Sequence, residues 1–175
     1  KSPVKRFTPS GEDVLVRNGY YAPLGDLEFP YVNTTTDTGS STIEDVAIGE
    51  NDIYSLMDSR HNKIFTYDGD GNLLYAFGGS STAVGTFTRL GAISYFGSDM
   101  VALDHEGNSV TLFTKTEYGK LIDEVISLQR QRKYTETIPV WEKIKAANNN
   151  FDLAYVGIGK SLMQQGEYDK AMDYF

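Results

Sequence analysis

Between residues 43 and 79 the chain runs in short apolar blocks separated by polar, glycine-rich breaks. IEDVAI (43–48), IYSLMD (53–58), KIFTY (63–67) and LLYAF (73–77) are rich in β-branched and aromatic residues, which predicts four strands. The break at 59–62 is polar, and the next is Asp68-Gly69-Asp70-Gly71. Glycine reaches positive φ at no steric cost and aspartate bonds nearby backbone N–H groups, so both breaks read as tight turns. Asp58 is placed to accept from the backbone of the first. The product is a four-stranded antiparallel meander ending at Gly78-Gly79. Alternation inside it is poor: Ile53 adjoins Tyr54, and Leu73, Leu74 and Tyr75 are consecutive. Strands that are apolar on both faces are expected to be covered on both faces.

The pattern recurs. Asp58, Asn62 and Ile64 are repeated 46 residues later as Asp104, Asn108 and Val110. DMVAL (99–103) stands where IYSLM stood, and LGAISY (90–95) where IEDVAI stood. Upstream, residues 4–19 align without a gap on residues 64–79, so Ser10-Gly11-Glu12 falls on Asp70-Gly71-Asn72. The chain therefore carries the closing hairpin of one unit (4–19), a whole second unit (43–79) and a partial third (88–117) with no clean fourth strand. A period of about 45 residues with four strands is the size of a β-propeller blade.

After Phe113 the period changes. Leu121, Val125 and Leu128, with Ile122 and Ile126 beside them, fall at helical spacing. Helices are predicted over 119–132, 134–147, 152–165 and 168–175. Asn148-Asn149-Asn150 is a stop and cap cluster, and Pro139 falls in the first turns of the second helix, where a missing N–H is best tolerated. The helical half has its own repeat: Tyr134 and Tyr168 are 34 residues apart, Thr137 aligns with Ala171, and Trp141 with Phe175.

These residues carry two resemblances. Strand–Asp-Ser-x-x-Asn-Lys-Ile–strand–Asp-Gly-Asp-Gly-Asn–strand–Gly-Gly resembles an NHL-type propeller blade, with Lys63 where such blades carry arginine. Tyr155, Gly159, Gly166, Tyr168, Ala171 and Phe175 resemble a tetratricopeptide (TPR) repeat, and the copy before it is degenerate, with Val125 for the small glycine and Thr137 for the alanine. The expected fold class is multidomain, β then α: a partial β-propeller of four-stranded antiparallel blades over 1–117, then TPR-like helical hairpins over 118–175. The order of the two is similar to that in bacterial extracytoplasmic proteins in which a Yip-type membrane domain follows. That resemblance implies an extracytoplasmic, cell-envelope location, with membrane attachment only through a domain outside this sequence.

Composition narrows the partners. A closed propeller of about six blades needs roughly 270 residues, and the chain has 175, so it is expected to be a piece of a longer protein. It has no cysteine, hence no disulfide or thiolate chemistry. Residues 1–117 hold 16 acidic and 8 basic side chains, and residues 118–175 hold 8 of each. An acidic β half argues against nucleic acid, whose binding rests on phosphate neutralisation. No stretch reaches the roughly 18 apolar residues of a membrane span.

No set of residues forms a convincing reaction centre. Asp68, Asp70 and Asn72 have the spacing that opens a calcium loop, but the closing acid falls on Gly79. They are weak metal candidates, and Asp104, Glu106 and Asn108 form a similar acidic turn. His61 and His105, the only histidines, are expected to cap turns or pack the rim. No cofactor is expected. Tyr20, Tyr21, Phe29 and Tyr31, in a long loop with two prolines, line a ligand rim or cover a blade flank. The TPR resemblance implies a protein- or peptide-binding groove at Val156, Lys160, Met163 and Gln164, with Ile122, Ile126, Gln129 and Arg130 in the first copy. An open stack of blades leaves an apolar flank, expected to be hidden by the 20–31 loop, the helices or a second copy of the chain. The function expected from all this is a non-catalytic interaction or scaffold module. The alternative is a calcium-dependent propeller hydrolase of the lactonase type.

Overall fold

The computed structural model describes residues 3–17, 22–26 and 39–175. The chain divides into two compact units, Lys1–Thr114 and Lys115–Phe175. The first is built of antiparallel sheets and the second of helices, as the change of period predicts.

Strands β1 (Ile43–Ile48), β2 (Tyr54–Asp58), β3 (Lys63–Tyr67) and β4 (Leu73–Gly78) pair in chain order as a four-stranded antiparallel sheet. The turns behave as their residues require. Asn62 takes φ +54° and Gly71 +81°, and Asp68 Oδ1 accepts from the backbone N–H groups of Asp70 and Asn72 at 3.0 and 2.8 Å. Gly78 lies against the Asn62 carbonyl at φ +94°, where a Cβ would come within 2.6 Å. Among the described residues the second sheet has three strands, β5 (Leu90–Phe96), β6 (Asp99–Asp104) and β7 (Ser109–Phe113).

Both faces of the first sheet's central strands are dry. On one face Ala47, Met57 and Ile64 pack against Leu90, Ile93, Met100 and Ala102 of the second sheet, with Phe87 and Phe113 at the margin. On the other, Tyr54, Leu56, Phe65 and Tyr67 are covered by Val4 and Leu15. All of β2 is buried, whereas β1 and β4, at the sheet's edges, are partly exposed. The amino-terminal segment reaches that face with its two arms paired about one antiparallel bridge, Phe7–Asp13, beside which Thr8 N–H donates to the Glu12 carbonyl at 2.9 Å and Val14 N–H to the Arg6 carbonyl at 2.7 Å.

The helical unit comprises α1 (Glu117–Arg130), α2 (Tyr134–Ala147), α3 (Asp152–Gln164) and α4 (Tyr168–Met172). The Thr116 hydroxyl caps α1 by accepting from Gly119 N–H at 3.2 Å. Pro139 lies in the second turn of α2, past the unpaired first four N–H groups, so it removes one helical bond. Trp141 packs where α2 meets α3, and a Cβ at Gly157 would approach its ring to 2.3 Å. Beside it Thr137 and Ser161, both buried, share a hydrogen bond of 2.7 Å across the two helices. Ser161 also donates to the Gly157 carbonyl, so this polar pair is satisfied internally. Among the described residues no helix is long and apolar enough to cross a membrane.

Candidate functional site

Among the described residues, one group of titratable side chains, Asp26, Asp58 and His61, gathers where β2 ends. Asp58 is fully buried there. Its Oδ1 accepts from the backbone N–H groups of Thr42 and Arg60 at 2.9 and 3.0 Å. Its Oδ2 accepts from the Ser41 hydroxyl at 2.6 Å and lies 2.5 Å from His61 Nδ1. An ionised carboxylate only accepts, so His61 carries its proton on Nδ1. Asp26 completes the cluster: its backbone N–H donates to Ser41 Oγ at 2.8 Å, and its carboxylate pairs with Lys63 Nζ at 2.6 Å. Burial opposes ionisation of Asp58, but the bonds from Ser41, His61 and Thr42 outweigh it and hold the carboxyl below its ordinary 3.8.

Asp26, Asp58 and His61 bring one ligand atom each within 4.8 Å of one another, the spacing a metal ion would need. The electrostatics argue against that use. Both Asp58 oxygens are already spent on four donors, and the Lys63 ammonium supplies the cation at Asp26. The second unit shows what the aspartate is for. Asp104 accepts from the backbone of Thr88 at 2.7 Å, Arg89 at 3.0 Å and Gly107 at 2.9 Å. Those backbone donors hold its carboxyl low as well. In each unit one aspartate clasps the chain entering the sheet to the turn leaving β2 or β6. His61 belongs to that clasp, while His105 is exposed at the other turn, so the two histidines serve no common centre.

Asp68 is likewise consumed by its own turn. Its Oδ2 accepts from Asn72 Nδ2 at 2.8 Å, and Oδ1 holds the two backbone bonds described above. Burial pushes its carboxyl above 3.8 despite those bonds. Asp70, on the same turn, is exposed.

A different feature separates the units. Asn62 at the β2–β3 turn bridges the two sheets: its Oδ1 accepts from Leu90 N–H at 2.8 Å, and its Nδ2 donates to Ser80 Oγ at 2.8 Å and to the Thr88 carbonyl at 3.3 Å. Its counterpart Asn108 has the same left-handed backbone, φ +49°. Among the described residues it bonds only the nearby Glu106 carbonyl, at 3.2 Å. The same contrast holds for the apolar face beside it. Met57 and Ile64 are 1% and 0% exposed, and their counterparts Leu103 and Val110 are 40% and 65% exposed. Phe96 and Leu112 share that outer face and are also exposed. Among the described residues no strand pairs beyond β7 and no sheet lies on this outer face, so it is exposed at these positions; the 20–31 loop, one of the covers expected for a flank, falls largely outside the described residues.

On the helices, Lys160, Met163 and Gln164 are exposed on α3 and Val156 is half-buried. In the first copy the expectation fails for Ile122 and Ile126, which are 0% and 4% exposed and belong to the helical core. Gln129 is half-buried and Arg130 exposed. Their i, i+4 spacing fits a groove and a core equally well, so sequence could not separate the two. Tyr20, Tyr21, Phe29 and Tyr31 lie outside the described residues. Sequence reasoning missed Asp26 and Ser41 as partners of Asp58, since no local pattern announces a contact across that much chain. No family model matches the chain, and no curated protein matches it.

Proposed function

We propose that this chain is a non-catalytic protein-interaction module, part of a scaffold in which NHL-type blades precede TPR-like helices. One observation carries this reading: the outer face of β5–β7 presents Phe96, Leu103, Val110 and Leu112 to solvent, and the first-sheet counterparts of the last three, Met57, Ile64 and Thr66, are buried. Exposed apolar surface that is continuous rather than scattered marks a contact surface. The 46-residue recurrence of the clasp aspartate and the turn asparagine supports the blade reading. The Gly157–Trp141 crossing and the Thr137–Ser161 pair supply the close helix packing that TPR-like hairpins need. A cell-envelope location, with membrane attachment through a domain outside this sequence, belongs to the same proposal and rests on resemblance.

A calcium-dependent hydrolase of the lactonase type would have to draw on Asp26, Asp58 and His61, or on Asp68, Asp70 and Asn72. The interaction reading is favoured because the carboxylates of Asp58 and Asp68 are committed to backbone and side-chain donors. The test is a photo-crosslinking residue placed at Phe96 or Leu112 of the full-length protein in its native cell, with Glu124, exposed on α1, as control. Protein adducts are expected at Phe96 and Leu112 and not at Glu124. Equal yields at all three, or none at the first two, would refute the reading.

A further inference from the structure

We propose that strand β7 pairs antiparallel with β7 of a second copy, joining two three-stranded sheets into one continuous six-stranded sheet across a two-fold axis at Thr111. This rests on the interaction reading and deepens it by naming a second copy as the partner at the open edge of that sheet.

An edge strand shows unpaired N–H and C=O groups, and proteins blunt it with charge, proline or a bulge. β1 carries Glu44 and Asp45 and a register shift at Ile43/Asp45. β4 meets β3 through a shift at Thr66/Tyr67, and β5 meets β6 through one at Leu90/Ala92. β7 has none of these. Its sequence is Ser-Val-Thr-Leu-Phe, without charge or proline, and its register on β6 is unbroken from Ser109 to Phe113. The place beside it is the one β4 fills in the first sheet. Next to that place the Phe77 ring meets Phe113 at a tilt of 55°, with centroids 5.0 Å apart, and Tyr75 stands 6.3 Å from Phe77. An added strand would therefore meet aromatic rings on its inner side.

Self-complementarity singles out a second copy. With Thr111 on the axis, Ser109 faces the other copy's Phe113, Val110 faces its Leu112, and Thr111 faces its own equivalent. Every pair is uncharged, and threonine–threonine and aliphatic cross-strand pairs are favourable. The Val110–Leu112 pairs fall on the outer face, where both side chains are now exposed. Charge then fixes the direction. The Asp104–Glu106 turn precedes β7 in an acidic unit. Parallel strands would set the two turns side by side. Antiparallel strands place the two copies' Glu106 about ten residues apart along the strand, roughly 33 Å at 3.3 Å per residue and well beyond the Debye length of about 8 Å.

The chain has no cysteine, so a single introduced thiol reports the register. Thr111→Cys is expected to form a disulfide-linked dimer on mild oxidation of the folded protein. Ser109→Cys is expected not to: in this register the two Ser109 positions are about 13 Å apart, and a disulfide needs Cα atoms within about 7 Å. Val110→Lys with Leu112→Lys alters exposed side chains only and sets lysine against lysine. It should weaken dimerisation in sedimentation by about tenfold or more, and mixing with a copy bearing Val110→Glu and Leu112→Glu should restore it. Circular dichroism confirms that each variant is folded. A wild-type chain that stays monomeric, or equal cross-linking at 109 and 111, overturns the proposal. Photo-adducts with other proteins at Phe96 or Leu112, alongside a monomeric chain, would overturn self-pairing and leave the interaction surface standing.

Discussion

Replacing Asn62 by alanine tests whether the two sheets are held by the bridge described here. The substitution leaves Leu90 N–H buried without an acceptor, a loss of about 1–3 kcal/mol. It removes two donor bonds, to Ser80 Oγ and the Thr88 carbonyl, for about 1 kcal/mol together. It also places a Cβ residue with no local polar compensation at φ +54°, for about 1 kcal/mol more. The expected total is about 3–5 kcal/mol. The same change at Asn108 loses one exposed bond to Glu106 and meets the same backbone penalty, so about 1 kcal/mol is expected. Amide hydrogen exchange along β1–β7 at stepped denaturant reads the β unit. The only tryptophan, Trp141, lies in the helical unit and reads that separately. Asn62→Gly, which relieves the backbone penalty, should recover about 1 kcal/mol. Equal costs at 62 and 108, or a cost below about 1 kcal/mol at 62, would refute the reasoning, because the asymmetry follows from one asparagine being bridged and the other open.

Three further outcomes are expected. Gly157→Ala should lower the tryptophan-monitored stability by about 1–3 kcal/mol, since its Cβ would overlap Trp141, whereas Gly159→Ala should raise it by up to about 1 kcal/mol, since the Phe175 ring it meets is 67% exposed and free to turn; losses of equal size would refute this. Asp58 has a lowered carboxyl pKa, so its contribution is complete above its unfolded value of 3.8 and is lost as pH falls through the lower folded value; the gap between wild type and Asp58→Asn should therefore close only in strong acid, while wild type should gain on Asp68→Asn as pH falls through that group's raised value towards 3.8, both read by unfolding at stepped pH. Millimolar calcium should move the melting temperature by less than about 1 °C, and a shift of several degrees with stoichiometric metal would revive the hydrolase reading.

Much of the β unit was legible because its residues leave little choice. Val, Ile, Tyr and Phe runs broken by Asp-Gly and Ser-Arg-His-Asn turns place β1–β4 within a residue or so of where they fall. The four helices were legible from the spacing of Leu121, Val125 and Leu128 and from the tyrosine repeat. What was not legible depends on which neighbour a residue meets. Gly159 matches the repeat pattern, yet it is Gly157 that lies against Trp141. Residues 4–19 align on β3 and β4 and their described part pairs with itself around Phe7 and Asp13, yet the alignment does not show that Val4 and Leu15 pack on the first sheet. The open side of the second sheet could be anticipated, since the sequence lacks a fourth strand after Phe113. Which residues of its outer face are exposed could not, because coverage is decided by contacts remote in sequence.

The aspartate clasp has a further consequence for how such a chain grows or shrinks. Each sheet fastens its own entrance to the end of its own second strand, at Thr42 with Asp58 and at Thr88 with Asp104. A stretch copied or excised from one entrance to the next takes a complete fastening with it and leaves none half-made. The seams between units are thus the places where length can change by whole steps, and the asparagine bridge, bonded to whatever entrance comes next, is the joint that accepts the newcomer.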